Sequence, residues 1–141
     1  METKSDRRKS IQAKVHPFCL VCSGSNPSGL AIEFETISEG VLTASFQANP
    51  IFEGYEGRVH GGITAALLDG IMTNCLFAEG IVAVTAELRV RYREPVLIGS
   101  EILLRGWIEN RHPPLFLMSA ELKQDDCIRA TASAKFMQQH E

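Results

Sequence analysis

The sequence predicts an α+β domain in which consecutive antiparallel strands wrap one long buried helix. Three observations carry this. From Gly61 to about Ala78 apolar residues recur at spacings of three and four, and Asp69 is the only charge between Gly62 and Ala78. On either side the pattern changes to period-two alternation, in two stretches before the helix and four after it. Clusters of Gly, Pro, Asn and Asp punctuate those stretches. With 141 residues, 45% hydrophobic, the length suits one such domain and the apolar content excludes disorder as the main state. The 11 glycines and 6 prolines show no period, which excludes a collagen-like or low-complexity chain.

Taken in order, residues 1–14 hold Lys4, Arg7, Arg8, Lys9 and Lys14 against Glu2 and Asp6, and read as a solvated, frayed basic tail before a domain of residues 15–141. Residues 15–29 read as a loop with a turn at Asn26-Pro27-Ser28-Gly29. Leu30, Ile32 and Phe34 alternate with polar or small neighbours, Glu39-Gly40 turns the chain, and Leu42, Ala44, Phe46 and Ala48 complete a hairpin. A glycine-containing loop over 49–60 leads into the helix, whose near-continuous apolar surface requires burial all round and whose end fits a cap at Gly80. The strand over 81–93 places Val82, Val84, Ala86, Leu88, Val90 and Tyr92 on one face and Thr85, Glu87, Arg89, Arg91 and Arg93 on the other. Strands over 101–110, 115–124 and 127–138 follow, with turns at 95–99, His112-Pro113-Pro114 and Asp125-Asp126.

Charge and composition narrow the function classes. The net charge is −3, and beyond residue 14 acidic side chains outnumber basic ones, which argues against a general nucleic-acid binder. The longest apolar stretch, 63–86, is interrupted by Asp69, Asn74, Glu79 and Gly80, so no membrane span is expected. The polar first ten residues lack a secretory pattern, and four cysteines are expected as reduced thiols in the cytoplasm.

Asp69 stands out chemically, because a carboxylate within an apolar helix must be paired, protonated or functional. It serves either as a reactive group or as a purely structural hydrogen-bonding one. Gly70 beside it costs the helix roughly 1 kcal/mol relative to Ala, so a backbone or a ligand is expected to approach there. His60-Gly61-Gly62 precedes the helix, where unpaired N–H groups form a natural oxyanion site, or where a turn simply needs glycine. Arg89, Arg91 and Arg93 could grip phosphates or face solvent. His16, Cys19 and Cys22 look like half a zinc site, yet no second pair supplies the remaining ligands, and no metal is expected. Cys75 reads as core, and His112 and His140 as surface groups in a turn and a tail.

The run Gly57-Arg58-Val59-His60-Gly61-Gly62-Ile63-Thr64-Ala65-Ala66-Leu67-Leu68-Asp69 resembles the signature of the PaaI-like hotdog-fold thioesterases. The stretch Val84-Thr85-Ala86-Glu87-Leu88-Arg89-Val90-Arg91-Tyr92-Arg93 looks like that family's next strand. The loop with Phe18-Cys19-Leu20-Val21-Cys22 and Asn26-Pro27-Ser28-Gly29-Leu30 is similar to a subgroup that includes the mammalian Them-type thioesterases. The likeness covers about residues 16–136. It implies a hotdog fold, about six strands around one central helix, assembled as a homodimer or a dimer of dimers. It implies hydrolysis of an acyl-coenzyme A thioester without a metal or other cofactor. Asp69 would be the catalytic carboxylate, the Gly61 N–H the oxyanion donor, His60 a group positioning the carbonyl, and Thr85 an orienter of the attacking water. Beside these, Gly62 is a candidate substrate contact, and so, if they do not simply face solvent, are Arg89, Arg91 and Arg93. One position departs: Gly54 stands where many relatives carry Asn. A non-catalytic acyl-CoA-binding module on the same fold is the alternative; a dehydratase fits less well, since the relevant enzymes lack this helix start.

Overall fold

In chain order the elements are α1 (Lys4–Val15), β1 (Glu33–Ser38), β2 (Val41–Gln47), a 3-10 turn at Pro50–Phe52, α2 (Gly61–Ala78), β3 (Ala83–Tyr92), β4 (Glu101–His112), β5 (Leu115–Gln124) and β6 (Cys127–Gln138). This computed structural model describes residues 1–140, apart from the side chains of Thr36 and Ile37. Glu141, the last residue of the expected domain, lies outside the described residues. The strands form one antiparallel sheet in the order β1-β2-β4-β5-β6-β3, and α2 packs against β2, β3, β4, β5 and β6. The expected α+β layout is therefore present.

Alternation explains how the sheet closes on the helix. Along β5 the side chains of Phe116, Met118, Ala120 and Leu122 are buried, and their partners on β4 and β6 include Gly106, Leu104, Ala130, Ala132 and Phe136. They meet Leu67, Leu68, Ile71, Met72, Cys75 and Leu76 of α2. Each such large apolar side chain contributes roughly 1.5–3 kcal/mol by leaving water. Gly106 lets β4 approach closely: a Cβ there would stand 3.1 Å from Ile71 Cγ1 and 3.3 Å from the Ile71 carbonyl carbon. By length and hydropathy α2 could cross a membrane; here it is the core helix, enclosed by the sheet.

Local chemistry sets the boundaries. α2 ends in a Schellman motif: the Ile81 N–H donates to the Leu76 carbonyl, the Gly80 N–H donates to that of Phe77, and Gly80 takes φ +80°. The β5–β6 hairpin turns through Asp125 and Asp126, both with positive φ, as a two-residue reversal requires. β4 and β5 are joined through Pro113–Pro114, linked by a cis peptide. Buried Gln124 pins the 95–99 turn by accepting from the Leu97 N–H and donating to the Leu97 and Ser100 carbonyls.

Residues 1–14 depart from the expected frayed tail. Lys4–Val15 form α1, opened by a capping box in which Thr3 and Asp6 bond each other's backbone N–H groups. The helix lacks a clear apolar stripe and is held by long-range polar contacts. Arg8 is buried, donates to Asn74 Oδ1 at 3.0 Å and covers the Phe34 ring at 4.7 Å. Lys4 and Arg111 both reach Glu79, whose side chain is only 5% exposed. Burial alone would push the Glu79 carboxyl up, but Lys4, Arg111 and the Gly40 N–H together hold it below its ordinary range.

Gly70 also finds its reason. A Cβ there would lie 2.4 Å from Val21 Cγ1, because the 16–30 loop packs directly onto α2. The approaching group is thus a loop side chain. Gly70→Ala should gain about 1 kcal/mol of helix propensity and lose about 1–3 kcal/mol to overpacking. The expected net is destabilisation of about 1 kcal/mol in chemical denaturation, relieved when Val21→Ala is added. A stabilised Gly70→Ala variant would contradict this packing.

Candidate active site

Position 86 decides which groups meet. β3 pairs with β6 in the register Thr85↔Phe136 and then Glu87↔Lys135, so Ala86 is an extra residue in a bulge. The insertion shifts the side-chain phase by one. Thr85 lies on the helix-facing side with Leu88, Val90 and Tyr92, whose β6 partners Phe136, Ala134, Ala132 and Ala130 are buried. Glu87, Arg89 and Arg91 lie on the opposite side. The sequence expectation that Thr85 shares a face with Glu87 and the arginines is corrected here, because strict alternation fails across a bulge.

The phase shift brings Thr85 to Asp69. Its hydroxyl donates to Asp69 Oδ1 at 2.6 Å, a short charge-assisted distance. Burial pushes the Asp69 carboxyl above the ordinary carboxylate range, while the Thr85 hydrogen bond and the charge of nearby His16 pull the other way. Thr85 thus stabilises the ionised form that burial disfavours.

At the other end of α2, His60 is the N-cap: its Nδ1 accepts from the Gly62 N–H at 2.9 Å. With Nδ1 accepting, the neutral ring carries its proton on Nε2, a donor available to a ligand. Gly61 is the first residue of α2, so its N–H has no partner within the helix. Tyr92 ties β3 to this end by donating to the Gly61 carbonyl at 2.7 Å. Gly54 allows the preceding loop to close here: a side chain would bring its Cβ to 3.0 Å from His60 Cα.

The predicted site residues therefore fall into two clusters on one chain. Asp69 and Thr85 form a carboxylate end; His60, Gly61 and Gly62 form a donor end. Eight residues of helix separate Gly61 from Asp69, roughly 12 Å along the axis. Arg89 and Arg91 lie on the outer side of the sheet, opposite Ser133 and Thr131. Arg93, just beyond β3, lines a cavity of about 610 Å³ together with Arg89 and Arg91, and a second of about 290 Å³ at the donor end with Arg58, Thr64, Tyr92 and Val96. Tyr92 and Arg58 escape the sequence reading. Periodicity assigns Tyr92 to an apolar face, and only its place two residues before His60 points to Arg58.

Cys75 is core, as expected: burial first, and then the Glu79 charge, push its thiol up to about 12, so it is no nucleophile. Val84 and Tyr92 on β3 are 52% and 54% exposed. Among the described residues β3 is an edge strand paired only with β6. A ten-residue edge carrying exposed apolar groups invites pairing with another chain.

The sequence profile of the Thioesterase superfamily matches residues 56–131, from the loop before His60 into β6. Acyl-coenzyme A thioesterase THEM4 of Rattus norvegicus is 27% identical over 114 residues, covering 77% of this chain and 49% of THEM4. The chain spans about half the length of the curated relatives it matches. Zebra fish thioesterase superfamily member 2 superposes with a TM-score of 0.78 at 18% identity, over 98% of this chain and 99% of that one. A Streptococcus mutans UA159 protein solved bound to acetyl CoA gives 0.74 at 17% identity, over 78% of this chain and 90% of its own. These two likenesses concern the fold.

Proposed function

Because this chain belongs to the thioesterase superfamily, in its PaaI-like hotdog form, we propose that it hydrolyses the thioester of an acyl-coenzyme A to free acid and CoA, at a site shared between two copies of the chain. The observation that carries this reading is the hydrogen bond between Asp69 on the buried helix α2 and Thr85 on β3, with the donor end of that helix roughly 12 Å away. Thioester hydrolysis needs an ionised carboxylate, as nucleophile or as the base that deprotonates water, and donors aimed at the developing oxyanion. Asp69 supplies the first. The Gly61 N–H, with the His60 Nε2–H beside it, supplies the second. Thr85 donates to Asp69, and its oxygen lone pairs can accept from the attacking water.

A reacting carbonyl must lie within about 3 Å of both donor and attacking group. One chain cannot meet that condition across the length of α2. Two antiparallel copies, paired through the β3 edge, can place His60 and Gly61 of one subunit opposite Asp69 of the other. The acetyl CoA bound to the Streptococcus mutans protein of the same fold supports the choice of ligand, as does the acyl-coenzyme A thioesterase activity named for THEM4.

The direct test is thiol release over a panel of short, long and aromatic acyl-CoAs. Turnover of at least one class is expected. Acyl-CoA binding with no thiol release from any member would instead mark a binding module.

For recognition of the CoA phosphates, Arg93 and Arg58 are the better placed basic groups, since they line the cavity at the donor end. Arg93→Ala should raise KM about fivefold, the size of an exposed ion pair, with kcat unchanged because phosphates are held alike in ground and transition states. Its KM should also depend less on salt. Arg89→Ala and Arg91→Ala should change KM less; a reversed order would return the phosphate contacts to the outer face.

Thr85→Val tests the carboxylate end through pH. An acidic limb in kcat/KM should report Asp69, above the ordinary Asp range because burial raises it. Removing the Thr85 donor destabilises the anion further, so the limb should move to higher pH. An unmoved limb would detach Thr85 from the ionisation of Asp69.

A further inference from the structure

The loop between α1 and β1 gathers three metal-ligating side chains that the proposed hydrolysis does not use. His16 caps the C-terminus of α1: its N–H donates to the Gln12 carbonyl at 2.8 Å, and its own carbonyl accepts from Gln12 Nε2 at 2.7 Å. The chain then turns back, with the Cys19 N–H on the His16 carbonyl and the Ser23 N–H on the Cys19 carbonyl. The turn aims His16, Cys19 and Cys22 at one point. Their ligand atoms lie within 4.8 Å of one another, and Cys22 is buried. From sequence the trio looks like half a zinc site without a second pair of ligands; the fold makes it a three-ligand cluster.

The geometry points to a site for a thiophilic divalent cation of the zinc class at His16, Cys19 and Cys22, with water in the fourth position. Bonds of about 2.3 Å to sulfur and 2.0–2.1 Å to nitrogen at a tetrahedral centre require ligand–ligand separations of roughly 3.5–3.8 Å. Cys22 Sγ and His16 Nδ1 stand 3.6 Å apart. Closing the rest of the cluster, at most 4.8 Å across, takes a movement of roughly 1 Å to reach those bond lengths. The Val21 N–H donates to Cys19 Sγ at 3.3 Å, an outer hydrogen bond of the kind that supports a ligating thiolate. Two sulfurs and an imidazole favour zinc over the hard cations, which take oxygen. Binding exchanges protons for metal: the two thiols lose two protons, both S–M bonds form from the thiolates, and the neutral imidazole and one water complete the shell.

The place of the cluster gives it a consequence. Val21, between the two cysteines, is the side chain that fills the gap above Gly70, and the His16 ring packs edge-on against Phe77 at 5.1 Å. A bound ion would fasten this loop to α2 next to the reactive carboxylate without entering the reaction.

The test uses the full chain, reduced and freed of metal, titrated with Co(II). One equivalent per chain should produce thiolate-to-cobalt charge-transfer and tetrahedral d–d absorption, and Zn(II) should abolish both by displacement. Cys19→Ser should weaken the binding at least about a hundredfold, since loss of a ligand costs no less than loss of its outer partner; Cys127→Ser should leave it unchanged. Wild-type protein gives a measurement independent of any variant's folding: Zn(II) should slow iodoacetamide labelling of Cys19 at least about tenfold, leave Cys127 unaffected, and release about two protons per ion. Absence of the thiolate–cobalt bands at one equivalent, equal labelling of Cys19 with and without Zn(II), or a Cys19–Cys22 disulfide persisting under reductant would overturn the site.

Discussion

Asp69→Asn lowers kcat at least about a hundredfold and leaves acyl-CoA binding nearly intact: this is the expected result of exchanging the carboxylate for its neutral isostere. The amide keeps an oxygen to accept from Thr85, so the 2.6 Å hydrogen bond has a counterpart in the variant, but it can neither attack a carbonyl nor take a proton from water. Stability should move the other way. Burial raises the Asp69 pKa in the folded state, so the stability linked to this group is full below the unfolded pKa and lost as pH rises through the folded value. At neutral pH the wild type carries that loss and the Asn variant does not, so Asp69→Asn should unfold at higher denaturant at pH 7, with the advantage fading in acid. Steady-state kinetics, isothermal titration with a slowly hydrolysed acyl-CoA and denaturation at two pH values check the three parts. Retention of more than about a tenth of wild-type kcat would remove Asp69 from the reaction.

Mixing His60→Ala with Asp69→Ala restores activity to about a quarter of wild type, although each variant alone is expected to be inactive. The figure follows from the shared site. In a closed two-fold dimer each site takes its donors from one subunit and its carboxylate from the other. A mixed dimer then has one site with both lesions and one with neither. Random pairing makes about half of the dimers mixed, and each has one intact site of two, hence about a quarter of the sites. Co-expression with two purification tags isolates the mixed species, whose activity should approach half. If donor and carboxylate belonged to one chain, every site would keep a lesion and no pairing would restore turnover. Such a null result would sink the shared-site proposal while leaving the assignment of Asp69 to its own test.

The limits of α2, the succession of six strands and one long helix along the chain, and the turns at Gly40, Gly80 and Asp125-Asp126 were legible in the sequence. These features rest on local physics: hydrophobic period, the conformational range of glycine and asparagine-like residues, and capping between near neighbours. Asp69 was legible for the same reason, being a charge where the helical pattern requires apolar groups. His60, Gly61 and Gly62 were legible as a helix start, while their reading as a donor end rather than a glycine turn came from the family resemblance.

Other features depended on partners distant in the chain. Ala86 carries no local mark of a bulge; only the register against β6 shows that an extra residue is accommodated there, turning Thr85 toward Asp69 and Arg89 and Arg91 away. α1 lacks an apolar stripe, and its anchors, Asn74 for Arg8 and Glu79 for Lys4, lie more than sixty residues away. Gly70 announced a close approach, but Val21 as the approaching group was set by how the 16–30 loop lies on α2. That same loop brings His16, Cys19 and Cys22 to one point. The sequence by itself determined the elements and the odd charge among them, because periods, caps and turns are energies of near neighbours. Which side chains face one another was decided only by tertiary structure, because a one-residue phase shift or a folded-back loop costs little locally and is selected by contacts across the whole domain.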